Sequence, residues 1–166
     1  MRILGIDPAL TTTGYGVIDA IGSRLELVEA GVITTHAAQG LPQRLHTIHA
    51  GILTLISDTR PEVLVIEKLY AHYRHPTTAF VLGQARGVIV LSSAEQGIPL
   101  VEYPATRIKK AIVGKGLAGK YQVQRMVAHT LNIKKLPKYM DVTDALALAI
   151  AHARIARIEG LRGVGG

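Results

Sequence analysis

The sequence predicts one mixed α/β domain, and three observations point there. Short apolar runs rich in β-branched residues recur at 2–6, 15–20, 25–35, 63–66 and 98–103. Between the later ones lie stretches whose apolar residues repeat every three to four positions, the spacing of a helix face. The chain has 166 residues, 48% of them hydrophobic, enough for one packed core and short for two. The order βββ-α-β-α-β-α gives three antiparallel strands, then strands that helical crossovers return in parallel. A mixed five-stranded sheet flanked by helices is the expectation.

Taken in order, RILGI at 2–6 reads as a buried strand with a carboxylate, Asp7, at its end. Thr11, Thr12, Thr13 and Gly14 read as punctuation before a second strand at 15–20. A turn at 21–24 leads into a third strand at 25–35. Leu41, Leu45, Ile48, Ile52, Leu55 and Ile56 mark one helical stripe over 41–59, and Pro61 stops it. VLVI at 63–66 is a fourth strand that again ends in an acid, Glu67. Pro76 and Thr77 open a helix to about 96, whose small residues Gly83, Ala85 and Gly87 permit close packing. A fifth strand follows at 98–103, then helices at 105–113 and 120–133 joined by GKGLAG. Pro137 precedes a last helix from 141 to about 158. The domain is expected to span 1–158 and the residues 159–166 to form a frayed tail.

Composition narrows the setting. No apolar run approaches the ~20 residues that span a bilayer. The opening MRILGID lacks the basic region and cleavage site of a signal peptide. With no cysteine there is no disulfide and no thiolate zinc site, so a cytoplasmic location away from membranes is expected. Charge says more. The net of +7 is unevenly spread: residues 68–140 hold twelve Lys/Arg against two acids, Glu95 and Glu102. Within 103–140 there are nine basic residues and no acid. Such a one-signed field attracts a polyanion, and nucleic acid is the commonest.

Against that field the acids stand out. ILGID and VLVIE end in carboxylates at the same relative place, and sites gather at strand ends where helical crossovers occur. In MDVTDALALAIAH, Asp141 and Asp144 are three apart, on one helical face and in the first turn, where the helix dipole favours negative charge. Each has an ordinary explanation: an N-cap for Asp141, a salt bridge for Glu67, a turn cap for Asp7. Converging carboxylates, however, repel one another unless cations neutralise them. An all-oxygen donor set suits Mg²⁺ or Mn²⁺, whereas zinc would want His or Cys. Acids that hold two such ions inside a basic field point to chemistry on a phosphodiester.

These motifs carry a resemblance. GIDPALTTTGYGVI, VLVIEKLY, LGQARGV, RIKKAIVGKGLAGKYQVQRMV and DVTDALALAIAH resemble, in order and spacing, the RuvC family of Holliday-junction resolvases over roughly residues 2–157. The resemblance implies an RNase H-like fold, a homodimer, two Mg²⁺ or Mn²⁺ ions per site, and symmetric nicking of opposed strands of four-way junction DNA alongside the RuvA–RuvB branch-migration machine. It implies that Asp7, Glu67, Asp141 and Asp144 are the catalytic metal ligands, with Asp7 bridging both ions. It also implies that Tyr70 stacks on bases at the crossover, a role Tyr73 could share, and that Lys109 and Lys120 contact DNA. Arg74 beside the tyrosines and Lys115 in the basic loop are expected on the phosphate backbone. One departure concerns only a local turn: the family usually reads GIDPG, and Ala9 stands at the last position here.

Three rival readings remain. GKGLAGK satisfies the spacing of a P-loop, but Tyr121 stands where the Ser/Thr hydroxyl is needed, and a helix rather than a strand is expected before it. GID…TTTGYGVI resembles the phosphate hairpin of actin-like ATPases, which need two such domains. A DNA-binding module without catalysis would keep the basic surface but would not need four acids. His152, eight residues past Asp144, is expected to be a packing residue rather than a carboxylate partner.

Overall fold

The computed structural model describes residues 1–69, 76–135 and 137–163. A meander of β1 (Arg2–Asp7), β2 (Thr12–Ile21) and β3 (Arg24–Thr34) is followed by α1 (Leu41–Thr59), β4 (Val63–Glu67), α2 (Pro76–Glu95) and β5 (Leu100–Tyr103). Then come α3 (Ala105–Val113), α4 (Lys120–Thr130) and α5 (Met140–Gly163). The sheet order is β3-β2-β1-β4-β5, antiparallel across the meander and parallel from β1 to β4 to β5.

Strand alternation sorts the core into two layers. Leu4, Ile6, Val17, Leu64 and Ile66 pack with Ile48 and Ile52 of α1 and Ile89 of α2. Ile3, Ile18, Val63 and Val65 face the other way and pack with Leu146 and Ile150 of α5, Ile108 of α3 and Val127 of α4. The period of two continues past the last apolar residue. Asp7 follows Ile3 and Gly5 on the α5 side, and Glu67 follows Val63 and Val65 there.

Helix α5 lies on the sheet at backbone distance. A Cβ added at Gly5 would stand 2.1 Å from the Ala145 carbonyl oxygen, and one at Gly14 would stand 2.2 Å from that of Asp141. Only glycine admits this approach. From Ala145 to Ala151 no α5 residue is more than 3% exposed, so the helix is enclosed on every side and alanine is the residue that fits.

Several boundaries differ from expectation. β2 begins at Thr12, not 15: Thr13 is buried, and its hydroxyl donates to the Ala9 carbonyl at 2.6 Å. β5 begins at Leu100 because Pro99 has no N–H and Ile98 donates its own to Ser93. α4 ends at Thr130, where Asn132 turns left-handed with φ of 53° and reverses the chain. α5 continues to Gly163, five residues beyond the expected end. α1 and α3 keep their expected limits; a left-handed Arg60 before Pro61 closes α1, donating to the Ile56 carbonyl at 2.8 Å.

Candidate active site

The parallel pairing Ile6↔Ile66 sets the ends of β1 and β4 side by side, so Asp7 and Glu67 are neighbours. Gly14 pairs with Asp7 in the antiparallel ladder and brings the first turn of α5 against the same strand end. A cavity of about 260 Å³ opens there, lined by Asp7, Glu67 and Asp144 with Lys109 and Lys120. Ile108, Val123 and Leu148 make its apolar floor. Asp141 is not in the lining, but its charge still acts on Asp7.

Burial pushes the Asp7 carboxyl up to about 7, and the charges of Asp144, Asp141 and Glu67 add to the effect, against Lys120. Burial also raises Glu67, helped by Asp144 and opposed by Lys109, Arg86 and Lys120. The Lys120 ammonium stands 2.7 Å from Asp144 Oδ2, and that hydrogen bond holds its proton more firmly. Among the described residues, the carboxylates of Asp7, Glu67 and Asp141 have no hydrogen bond or ion pair. Three acids thus line one cavity, with Asp141 acting on Asp7 by its charge and, among the described residues, a single lysine bonded to the set.

The donor chemistry fits a hard divalent cation. Every donor is a carboxylate oxygen, and burial together with the charges of Asp144, Asp141 and Glu67 raises the Asp7 carboxyl, a cost that a bound cation would offset. As the side chains stand, no three His, Asp or Glu among the described residues are gathered tightly enough to hold one ion. Asp144 is turned to Lys120 instead.

Lys109 and Lys120 thus reach the cavity, while Lys115 lies exposed in the loop between α3 and α4, outside it. Tyr70, Tyr73 and Arg74 lie outside the described residues. The P-loop reading loses its context: residues 114–119 follow the helix α3, and the lysine of the motif meets a carboxylate. His152 is a packing residue, 8% exposed, with Nδ1 hydrogen-bonded to the Tyr103 hydroxyl at 2.9 Å.

Two contributions escaped sequence reasoning. Arg86 of α2 donates to the Glu67 carbonyl at 2.7 Å and pairs with Glu102, fixing the end of β4. The signal was there: Glu95 and Glu102 are the two acids of the basic stretch, and they pair with His49 and Arg86. The other is the role of Gly5 and Gly14 as seats for α5, invisible until helix and sheet are brought together.

Residues 3–152 match the family model for the crossover junction endodeoxyribonuclease RuvC. The chain is 48% identical over 153 residues to that enzyme of Burkholderia thailandensis, covering 92% of this chain and 83% of that one. With the Rhodopirellula baltica protein it is 45% identical over 148 residues, covering 89% and 83%. Thermus thermophilus RuvC, solved in complex with a Holliday junction substrate, superposes with a TM-score of 0.91 at 33% identity, over 96% of each chain. The yeast mitochondrial Holliday junction resolvase Ydc2 shares the fold, with a TM-score of 0.66 at 15% identity, over 98% of this chain and 83% of that one. Match after match spans nearly the whole sequence and carries the same description: this chain belongs to the RuvC family of crossover junction endodeoxyribonucleases.

Proposed function

We propose that this protein is a structure-selective endonuclease that resolves Holliday junctions, nicking two opposed strands symmetrically in DNA recombination and repair. The observation that carries the reading is the convergence of Asp7, Glu67 and Asp144 in one lysine-flanked cavity, in a chain of this family.

Asp7, Glu67, Asp141 and Asp144 would hold two divalent ions, Mg²⁺ or Mn²⁺. Bound there, the ions supply Lewis acidity to the phosphodiester and lower the pKa of the attacking water. The chain's own residues do the rest. Asp7, on the central strand and within the field of Asp144, Asp141 and Glu67, would be the ligand shared by both ions. Lys109 and Lys120 present ammonium groups at the cavity wall, where a phosphate would sit, and Lys115 extends that surface along the loop. Lys120 also keeps Asp144 oriented. Hydrolysis opposite the 3′ oxygen leaves a 5′ phosphate and a 3′ hydroxyl. Stacking by Tyr70 and Tyr73 and a phosphate contact from Arg74 complete the proposal.

A four-way junction with two-fold symmetry calls for a two-fold protein, and α2 offers a face for it. Phe80 and Leu91 are 74% and 52% exposed, and with Gly83 and Gly87 they form one helical stripe against which nothing among the described residues packs. We assign this stripe to a homodimer interface. Cooperation with a RuvA–RuvB complex in the cytoplasm completes the reading; no helix among the described residues is long and apolar enough to cross a membrane.

The test is junction cleavage by Asp7→Asn. Losing a metal-binding carboxylate removes several kcal/mol of transition-state stabilisation, roughly a thousandfold in rate. Nicking of a labelled junction in Mg²⁺ should fall by that much with junction affinity nearly unchanged. Normal turnover would remove Asp7 from the site, and wild-type binding without nicking would make the protein a non-catalytic module.

A further inference from the structure

The far half of α5 forms, with α3, a groove of about 650 Å³ that the nuclease reading does not use. Its residues 155–161 lie roughly 15–25 Å along the helix axis from Asp144. The floor is aliphatic: Ile155 is buried, while Ile158 and Leu161 stand 51% and 70% exposed along one side of the helix. The walls are fixed. Arg154 donates to the Ala111 and Ile112 carbonyls at 3.1 and 2.9 Å, closing the end of α3 against α5. Arg107 and Glu159 bridge the two helices at 2.6 Å. That ion pair accounts for the one acid in the lining, whereas Lys110 and Arg157 have no partner among the described residues. The groove is therefore apolar within, basic at the rim and pre-shaped.

We propose that this groove docks an acidic amphipathic helix from a partner protein, with apolar side chains on Ile158 and Leu161 and carboxylates facing Lys110 and Arg157. Charge complementarity selects the partner's sign, and the exposed aliphatic pair demands apolar cover that a phosphate backbone does not supply. A second copy of this chain fits poorly, because its other exposed apolar stripe, on α2, carries no acid between Phe80 and Leu91.

The experiment uses the full chain and a fluorescein-labelled 16-residue peptide with leucine at helical i, i+3, i+4 spacing and glutamate at the positions flanking that stripe. Fluorescence anisotropy should give saturable binding that a scrambled peptide of the same composition weakens at least tenfold. Ile158→Ser with Leu161→Ser should weaken it at least tenfold, as should Arg157→Glu alone, whose exposed site leaves the fold intact. Junction nicking by the Ile158/Leu161 double variant should match wild type. Equal affinity for the scrambled peptide, or for either variant, overturns the proposal. Loss of junction affinity in the double variant would assign the groove to DNA, and a fall in its sedimenting mass would assign it to a second copy; both outcomes also overturn it.

Discussion

At the scale of single residues, Asp7 carries the most consequence. Its carboxyl ionises near 3.8 in an unfolded chain and at about 7 in the folded one. Between those values the native state holds a proton that the unfolded state releases, so stability falls as pH rises through the window. We expect the thermal midpoint of the metal-free protein to decline from pH 4.5 to 7.5, with Asp7→Asn flattening the decline. Millimolar Mg²⁺ should raise the midpoint more at pH 7.5 than at pH 5, because protons compete for the same oxygens. Parallel melting profiles for wild type and variant would show that Asp7 is not the strained group. His152 has the opposite sense. Burial lowers its pKa, so its share of stability is present above an unfolded value near 6.5 and is lost as pH falls through the folded value. Tyr103→Phe removes its hydrogen-bond partner and should cost about 1–3 kcal/mol in denaturant titration while leaving nicking intact.

Among the elements, the strands and helices that depend on local pattern were legible. The stripe from Leu41 to Ile56 and the stop at Pro61 delimit α1, and the apolar runs before Asp7 and Glu67 delimit β1 and β4. What was not legible depended on partners distant in sequence. Thr12–Gly14 looked like a break because threonine and glycine punctuate turns; it is strand because β3 pairs with all three residues and β1 reaches Gly14 from the other side. The four acids could be singled out from the sequence, since each closes a strand or opens a helix. The bond from Lys120 to Asp144 could not, because it joins α4 to α5 across the cavity. Gly14→Ala tests the seating of α5. Its Cβ would collide with the Asp141 backbone, so a loss of at least about 2 kcal/mol in denaturant titration is expected, with slower nicking as Asp141 is displaced. Gly160→Ala in the same helix meets nothing within 4 Å and should instead stabilise by about 0.5–1 kcal/mol.

For the whole molecule, charge and symmetry decide behaviour. Nine basic residues without an acid from 103 to 140 make junction affinity an ion-release equilibrium. If four phosphates are contacted, affinity should fall roughly a hundredfold between 50 and 200 mM salt, and a flat response would place DNA elsewhere. Symmetric cutting needs two copies. Phe80→Glu with Leu91→Glu should halve the sedimenting mass and leave singly nicked junctions in place of resolved duplexes. An unchanged mass would move the interface off α2.

The seat of α5 on Gly5 and Gly14 gathers the acids on one rigid piece. Asp7 and the aspartates of the helix start are fused into one block, with no side chain between main chains to act as a cushion. Glu67 shares that block, since main-chain pairing ties β4 to β1 and Arg86 holds the strand's last carbonyl, whereas Lys120, arriving from α4, reaches it through a side chain alone. Adjustment during a catalytic cycle is therefore expected from that one jaw, closing on an anvil that does not give.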